Sequence, residues 1–182
     1  MKILVLGATG MLGASLLPVL IRNGHEVVSH GMRGKAQLVG DLSDLNQARI
    51  LISSVSAEVV INLVALTDVD FCELNPQEAW RVNVLTAQNV SLACQEFSSY
   101  LIHISTDQVY DGHGPHFEGS ALPGNYYAQT KYASELAVLA GRASVLRTNF
   151  VGQSQQGRRR SLTDWLFDSL VQGQIVPVFS DV

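Results

Sequence analysis

The first thirteen residues, Met1 to Gly13, read MKILVLGATGMLG and leave little freedom to the fold that follows. Ile3 to Leu6 is an apolar run of strand length that stops at Gly7, and glycines recur at every third position, Gly7, Gly10 and Gly13. Behind them Met11, Leu12, Leu16, Leu17, Leu20 and Ile21 repeat at the spacing of a helix packed on a sheet. A buried parallel strand that hands over to a helix start, while leaving room for a diphosphate, needs glycine wherever a Cβ would strike the sheet or the ligand. The spacing is GxxGxxG rather than GxGxxG, and any strand-to-helix turn can use one or two glycines for steric reasons alone. The strand in front and the amphipathic helix behind nevertheless point to a dinucleotide site, with Gly7, Thr9, Gly10, Met11, Leu12 and Gly13 as its contacts.

The rest of the chain alternates strands with helices. A helix is expected from Met11 to Asn23, with Pro18 inside it and Gly24 as its stop, then a strand Glu26 to Ser29, a turn Gly31 to Gly34 and a brief strand Gln37 to Val39. Ser43 or Asp44 caps a helix reaching about Ser54, and EVVINL, Glu58 to Leu63, reads as a fully buried strand. Asn75-Pro76 opens one long helix to about Phe97, and YLIHIS, Tyr100 to Ser105, is the next strand. A long glycine-bearing loop, Thr106 to Gly124, precedes a helix over Asn125 to Gly141 and a strand over Ser144 to Thr148. A Ser161/Asp164 capping box starts a helix to Gln172, and a last strand is expected over Ile175 to Phe179. Such alternation predicts an α/β protein with a doubly wound parallel sheet, the Rossmann fold, occupying residues 1–149.

Composition excludes several classes. The 182 residues are 47% hydrophobic and 15% charged, with no apolar run long enough to cross a membrane, so a globular protein with a substantial core is expected. A net charge of −4 leaves no nucleic-acid footprint. The basic run Arg158 to Arg160 reads as a solvated loop, or as a segment meeting an anionic substrate. Cys72 and Cys94 form neither a CxxC pair nor a metal spacing with histidine, and no export signal is visible, so a cytoplasmic location is expected. His113, His116 and Glu118 lack a further placed ligand, and no metal is expected. Trp80 and Trp165 are expected to be packing anchors.

Chemistry gathers after the strand that ends at Ser105. Ligands of open parallel sheets bind at the carboxyl ends of strands, and Thr106-Asp107 sits at such an end. Further on, Tyr127 and Lys131 stand four apart on a helix, so phenol and ammonium share a face. A phenol of pKa near 10 needs about 4 kcal/mol of differential stabilisation to reach neutrality, and an adjacent cation is expected to contribute to it. At the end of the second strand, where an NAD-selective site carries Asp or Glu for the ribose 2′-hydroxyl, the sequence has Ser29-His30-Gly31. Without a carboxylate to repel a phosphate, and with Arg33 and Lys35 following, NADP(H) is favoured over NAD(H), with Arg33 at the phosphate. The plainer meaning of those cations is an exposed basic turn.

Seven stretches together resemble the extended short-chain dehydrogenase/reductases, and within them the dTDP-4-dehydrorhamnose reductase group. They are GATGMLG (7–13), GDLSD (40–44), NLVALTDVDFCELNP (62–76), VN (82–83), STDQVYDG (105–112), YAQTK (127–131) and LRTNFVG (146–152). The resemblance implies that Thr106, Tyr127 and Lys131 are catalytic: Thr106 holds the substrate carbonyl oxygen, Tyr127 is the acid, and Lys131 is its electrostatic partner and a ribose ligand. It implies Asp41 and Leu42 beside the adenine, Ala65 over the cofactor, and Asn83 steadying the catalytic helix. Asp107, Arg147 and Asn149 are implied at the substrate, with residues 150–182 the beginning of a substrate-binding region that continues further in the family.

The implied activity is NADP(H)-dependent reduction of a keto group on a nucleotide-linked sugar, with a homodimer expected from the superfamily. Gln108 replaces an acidic residue that resembling sugar-nucleotide dehydratases carry after the threonine, which speaks against dehydration. Two alternatives stay open: a nucleotide-sugar epimerase, and a cofactor-binding regulatory subunit without turnover.

Overall fold

A computed structural model describes residues 1–33, 36–152 and 161–176. They divide into two compact units, Met1–Thr148 and Asn149–Val182.

The first unit is built on six parallel strands: β1 (Lys2–Leu6), β2 (Glu26–Gly31), β3 (Leu38–Val39), β4 (Val59–Asn62), β5 (Tyr100–Thr106) and β6 (Ala143–Thr148). Their order in the sheet is β3-β2-β1-β4-β5-β6, so the winding direction reverses between β1 and β4. That reversal opens a crevice at the carboxyl ends of the two strands, the site where doubly wound sheets bind ligands.

β1 shows why the chain winds this way. Its side chains alternate between two cores, Leu4 and Leu6 entering one and Ile3 and Val5 the other. The first core is closed by α2 (Leu45–Val55), α5 (Thr86–Glu96) and α6 (Tyr126–Leu139), through Ile52, Val90 and Val138 among others. The second is closed by α1 (Met11–Arg22), through Leu16, Leu17 and Leu20. A strand buried on both faces has no polar side to present, which accounts for its unbroken apolar sequence.

The turn between β1 and α1 allows no Cβ at two of its glycines. Gly7 has φ of +75°, and a Cβ there would lie 3.0 Å from Val64 N and 3.1 Å from the Leu63 carbonyl carbon. At Gly13 a Cβ would come within 2.6 Å of the Ala8 backbone. The helix therefore lies against the end of β1 more closely than any other residue permits.

Most expected elements are present with ends moved by a residue or two. Asp44, rather than Ser43, caps α2, accepting from the Asn46 and Gln47 N–H groups at 2.8 and 3.2 Å. Two regions depart from expectation. The long helix after Asn75 is three segments, α4 (Pro76–Trp80), a π-helical turn Arg81–Leu85, and α5, and a short helix α3 (Val69–Leu74) precedes them. Trp80 and Trp165 are 44% and 37% exposed, so neither is a buried anchor.

In the second unit, α7 (Leu162–Val171) begins with the expected capping box of Ser161 and Asp164. Ile175 and Val176 are not in a strand, and Pro177 to Phe179 of the expected last strand, like Arg158 to Arg160 and Lys35, lie outside the described residues.

The Gly13 contact yields a direct prediction. Gly13→Ala must push α1 off β1, and is expected to lower stability by about 1–3 kcal/mol, the usual cost of overpacking. A urea midpoint for Gly13→Ala equal to wild type would contradict this packing.

Candidate active site

The crevice at the strand reversal is a cavity of about 230 Å³. Of the expected cofactor residues, Gly7, Thr9, Gly10, Asp41, Leu42 and Ala65 line it. Met11, Leu12 and Gly13 form the first turn of α1, whose N-cap Gly10 offers no side-chain acceptor to the helix's free N–H groups. Unsatisfied N–H groups and the positive end of the helix dipole suit a diphosphate. Arg33 follows β2 on the exposed surface and is not among the lining residues.

Further residues line the cavity beyond those expected. Leu63 and Val64 follow the end of β4, where a strand-end rule could have found them. His30 stands at the end of β2 and is reached by the same rule, whereas Arg81 and Thr86 come from the π turn and α5, which it does not cover. Arg81, at the start of the π turn, reaches across to donate to Asp41 Oδ2 at 2.9 Å and Ser43 Oγ at 2.6 Å, while its Nε and Nη2 grip Glu78 at 2.9 and 2.7 Å. Hydrogen bonds from Ser43, together with the Arg81 charge, hold the Asp41 carboxyl below its ordinary range against the opposing effect of burial. His30 is 2% exposed, and its Nε2 lies 3.1 Å from the Gly40 carbonyl while Nδ1 has no partner among the described residues. Burial holds its pKa below the ordinary histidine value, so the ring is neutral and Nε2 is the donor.

Thr106, Tyr127 and Lys131 are brought together at the end of β5 and on the first turns of α6, all three buried. Asn125 caps α6 by accepting from Ala128 N at 2.8 Å, which fixes where the helix begins and so where Tyr127 stands. Thr106 Oγ1 accepts from Gln108 N at 3.2 Å and donates to Asp107 Oδ1 at 3.3 Å.

The expected electrostatics of the pair need correcting. Burial pushes the Tyr127 phenol above its ordinary value, and the nearby Thr106 hydroxyl opposes that shift. The nearby Cys72 and Asp107 push it further up. The Lys131 ammonium is turned instead to the Ile104 carbonyl, to which it donates at 2.8 Å. Burial lowers its pKa to about 8, with Glu135 pulling the other way. A phenol that keeps its proton at neutral pH is the form a proton donor needs.

Asn83 holds the helix as the resemblance implied, and explains the π turn that carries it. Its amide oxygen accepts from Leu66 N at 2.7 Å, and its nitrogen donates to the Leu66 carbonyl at 3.1 Å and Thr130 Oγ1 at 2.9 Å. Thr130 Oγ1 in turn donates to the Tyr127 carbonyl at 2.7 Å. A widened turn that aims one buried amide at two other elements fits the habit of π turns to occur at functional sites.

Arg147, expected at the substrate, is committed to protein groups. Its Nε and Nη2 donate to both oxygens of Glu135, at 3.0, 3.1 and 2.6 Å, and Nη1 donates to Tyr110 Oη and the Glu118 carbonyl, both at 2.7 Å. Ser105 Oγ also donates to Glu135, whose side chain is only 2% exposed. A buried carboxylate demands a bidentate cation of this kind, and the pair ties β6, α6 and the 106–124 loop together. Asp107 is exposed beside Thr106, and Asn149 opens the second unit. His116 stacks on Tyr110 at 5.0 Å, and among the described residues no cluster of three metal-binding side chains occurs.

Lys131 makes the stability of the site pH-dependent. Its pKa is about 8 in the folded protein, against about 10.4 in an unfolded chain. Between those values the unfolded state binds more protons, so stability rises with pH. The difference in urea midpoint between wild type and Lys131→Met is therefore expected to shift in favour of wild type from pH 8 upward and to be flat below it. A difference that is flat throughout would place the ammonium in water.

The family described as RmlD substrate binding domain matches residues 1–181. A "Probable low-salt glycan biosynthesis reductase" of Haloferax volcanii is 32% identical over 97% of this chain and 63% of its own length. A dTDP-4-dehydrorhamnose reductase of Mycobacterium tuberculosis is 33% identical over 86% of this chain and 52% of its own. The crystal structure of dTDP-4-dehydrorhamnose reductase from Bacillus anthracis in complex with NADP superposes with a TM-score of 0.73 at 26% identity, over 80% of this chain and 52% of that one. The chain thus spans between about half and two thirds of the length of these proteins. With the glycine turn at the strand reversal and the Thr106, Tyr127 and Lys131 cluster beside it, the match over nearly the whole sequence makes this chain a member of the RmlD substrate binding domain family, within the extended short-chain dehydrogenase/reductases.

Proposed function

We propose that the protein binds NADP(H) in the crevice between β1 and β4 and, as part of a complete reductase, reduces a keto group on a nucleotide-linked sugar, as its dTDP-4-dehydrorhamnose reductase relatives are named for doing. The observation that carries this reading is the buried Thr106, Tyr127 and Lys131 cluster at the end of β5, in the same sheet as a cavity that a Cβ at Gly7 would crowd.

The residues of the cavity suit the cofactor. Gly7, Gly10 and the first turn of α1 would hold the diphosphate, and Asp41 and Leu42 the adenine end. When bound, the reduced nicotinamide supplies the hydride. Tyr127, kept protonated by burial, gives its proton to the oxygen that becomes a hydroxyl. Thr106 holds that oxygen, and Lys131 is assigned to the cofactor ribose. Asn149 and the second unit are assigned to the sugar nucleotide, and Asp107 to the mouth of the site. Two free buried thiols, Cys72 and Cys94, accord with a cytoplasmic enzyme. Among the described residues no helix is long and apolar enough to cross a membrane.

Tyr127→Phe is expected to lower turnover of a nucleotide-linked keto sugar by about 10²–10⁴-fold while NADPH still binds, the range lost with a general acid. Turnover within a few-fold of wild type would refute the role, and NADPH binding with no turnover by wild type would point to a regulatory subunit. Arg33→Ala tests the cofactor choice: it is expected to weaken NADPH binding more than NADH binding, and equal losses would remove Arg33 from the phosphate.

A further inference from the structure

We propose that Asn62, His103 and Ser134 form a one-way hydrogen-bond relay that positions Lys131 and couples it to the wall of the nucleotide cavity. The importance of Lys131 rests on the reading given above, but the relay itself follows from donors and acceptors alone.

Its direction is determined step by step. Asn62 ends β4, is 1% exposed, and its Oδ1 accepts from the Val64 N–H at 3.0 Å. A backbone N–H only donates, so the amide oxygen must face Val64 and the amide nitrogen must face His103. That nitrogen stands 3.2 Å from His103 Nδ1, which must therefore accept. The ring proton is then on Nε2, 3.0 Å from Ser134 Oγ. Ser134 receives it and donates its own proton to the Lys131 carbonyl at 2.6 Å.

His103 and Ser134 are both 0% exposed. The opposite tautomer would set two donors against each other at Asn62, and so would a protonated ring, which would also face the Lys131 ammonium. Burial first, and that ammonium second, hold the ring well below its ordinary pKa.

The far end of the lysine is gripped by the same strand. Lys131 Nζ donates to the carbonyl of Ile104, the residue after His103. β5 thus holds Lys131 at its backbone carbonyl, through His103 and Ser134, and at its ammonium directly. A flexible four-carbon stem with both ends pinned has one reach. The other end of the relay, Val64, lines the cavity and is the backbone that a Cβ on Gly7 would meet at 3.0 Å. Asn62, His103 and Ser134 do not line the cavity and act as positioning residues.

The test uses the full chain without substrate, so its outcome is independent of whether a keto sugar is reduced. Nitrogen-15 spectra of the imidazole are expected to show His103 protonated on Nε2 and bare on Nδ1 at neutral pH. Carbon-13 titration of Lys131 is expected to move upward by about half a pH unit or more in His103→Asn and Ser134→Ala, as the unpinned ammonium regains water. His103→Gln, which keeps a donor where Nε2 stands, is expected to titrate near wild type. The His103→Asn/Ser134→Ala double variant is expected to shift no further than either single one, since both cut the same chain. A ring protonated on Nδ1 overturns the relay. So does a Lys131 midpoint unmoved in folded variants, or a shift in His103→Gln equal to that in His103→Asn. Where a variant does not fold, the wild-type ring spectrum decides.

Discussion

The backbone of the β1–α1 turn passes the end of β4 at a distance that admits no side chain, and the site depends on that approach. Gly7 can take its left-handed φ and lie beside Val64 only because it lacks a Cβ, and Gly13 lets α1 settle onto the Ala8 backbone. Together they aim an uncapped helix N-terminus at the reversal point of the sheet, where a diphosphate would meet free N–H groups rather than side chains. The same approach fixes the Val64 peptide, whose N–H donates to Asn62. One steric constraint at the start of the chain therefore reaches the polar groups that surround α6.

That helix lies in an unusually polar interior. His103, Lys131, Ser134 and Glu135 are all nearly or wholly buried between β5 and α6. Each is costly to bury alone, and each has a partner: Glu135 has Arg147 and Ser105, Lys131 has the Ile104 carbonyl, and His103 has Asn62 and Ser134. Asn83 adds a second tie, through Thr130 to the Tyr127 carbonyl. An apolar core would have packed α6 with less cost, but it would not have specified where each turn of the helix must stand. Hydrogen bonds to the carbonyls of Tyr127 and Lys131 do so, at the two residues whose placement matters most.

Local chemistry was readable from the chain. The glycine turn, the apolar strands, the Asp44 cap and the four-residue spacing of Tyr127 and Lys131 depend on neighbours close in sequence, and all are where the pattern puts them. The π turn was not readable, because it answers to Leu66 and Thr130, which are distant from Asn83 in sequence and near only in the fold. The pairing of Arg147 was hidden for the same reason: its partner Glu135 is buried, and nothing in LRTNFVG shows that a carboxylate on another element takes the guanidinium. Spacing put Tyr127 and Lys131 on one face but could not show that the ammonium turns to Ile104, so the direction of the phenol's pKa shift was also beyond it.

The sequence by itself determined the alternation of strands and helices, the parallel winding, the glycine turn and the shared helix face of Tyr127 and Lys131. Each follows from periodicity, from the special conformations of glycine and from side-chain chemistry over a few residues. Only the tertiary structure decided what state those groups are in. Protonation depends on burial and on which donor faces which acceptor, and both are set by residues that meet from β4, β5 and α6. Asn62, His103 and Ser134 are unremarkable in the chain, and acquire a direction only when the sheet brings them into line.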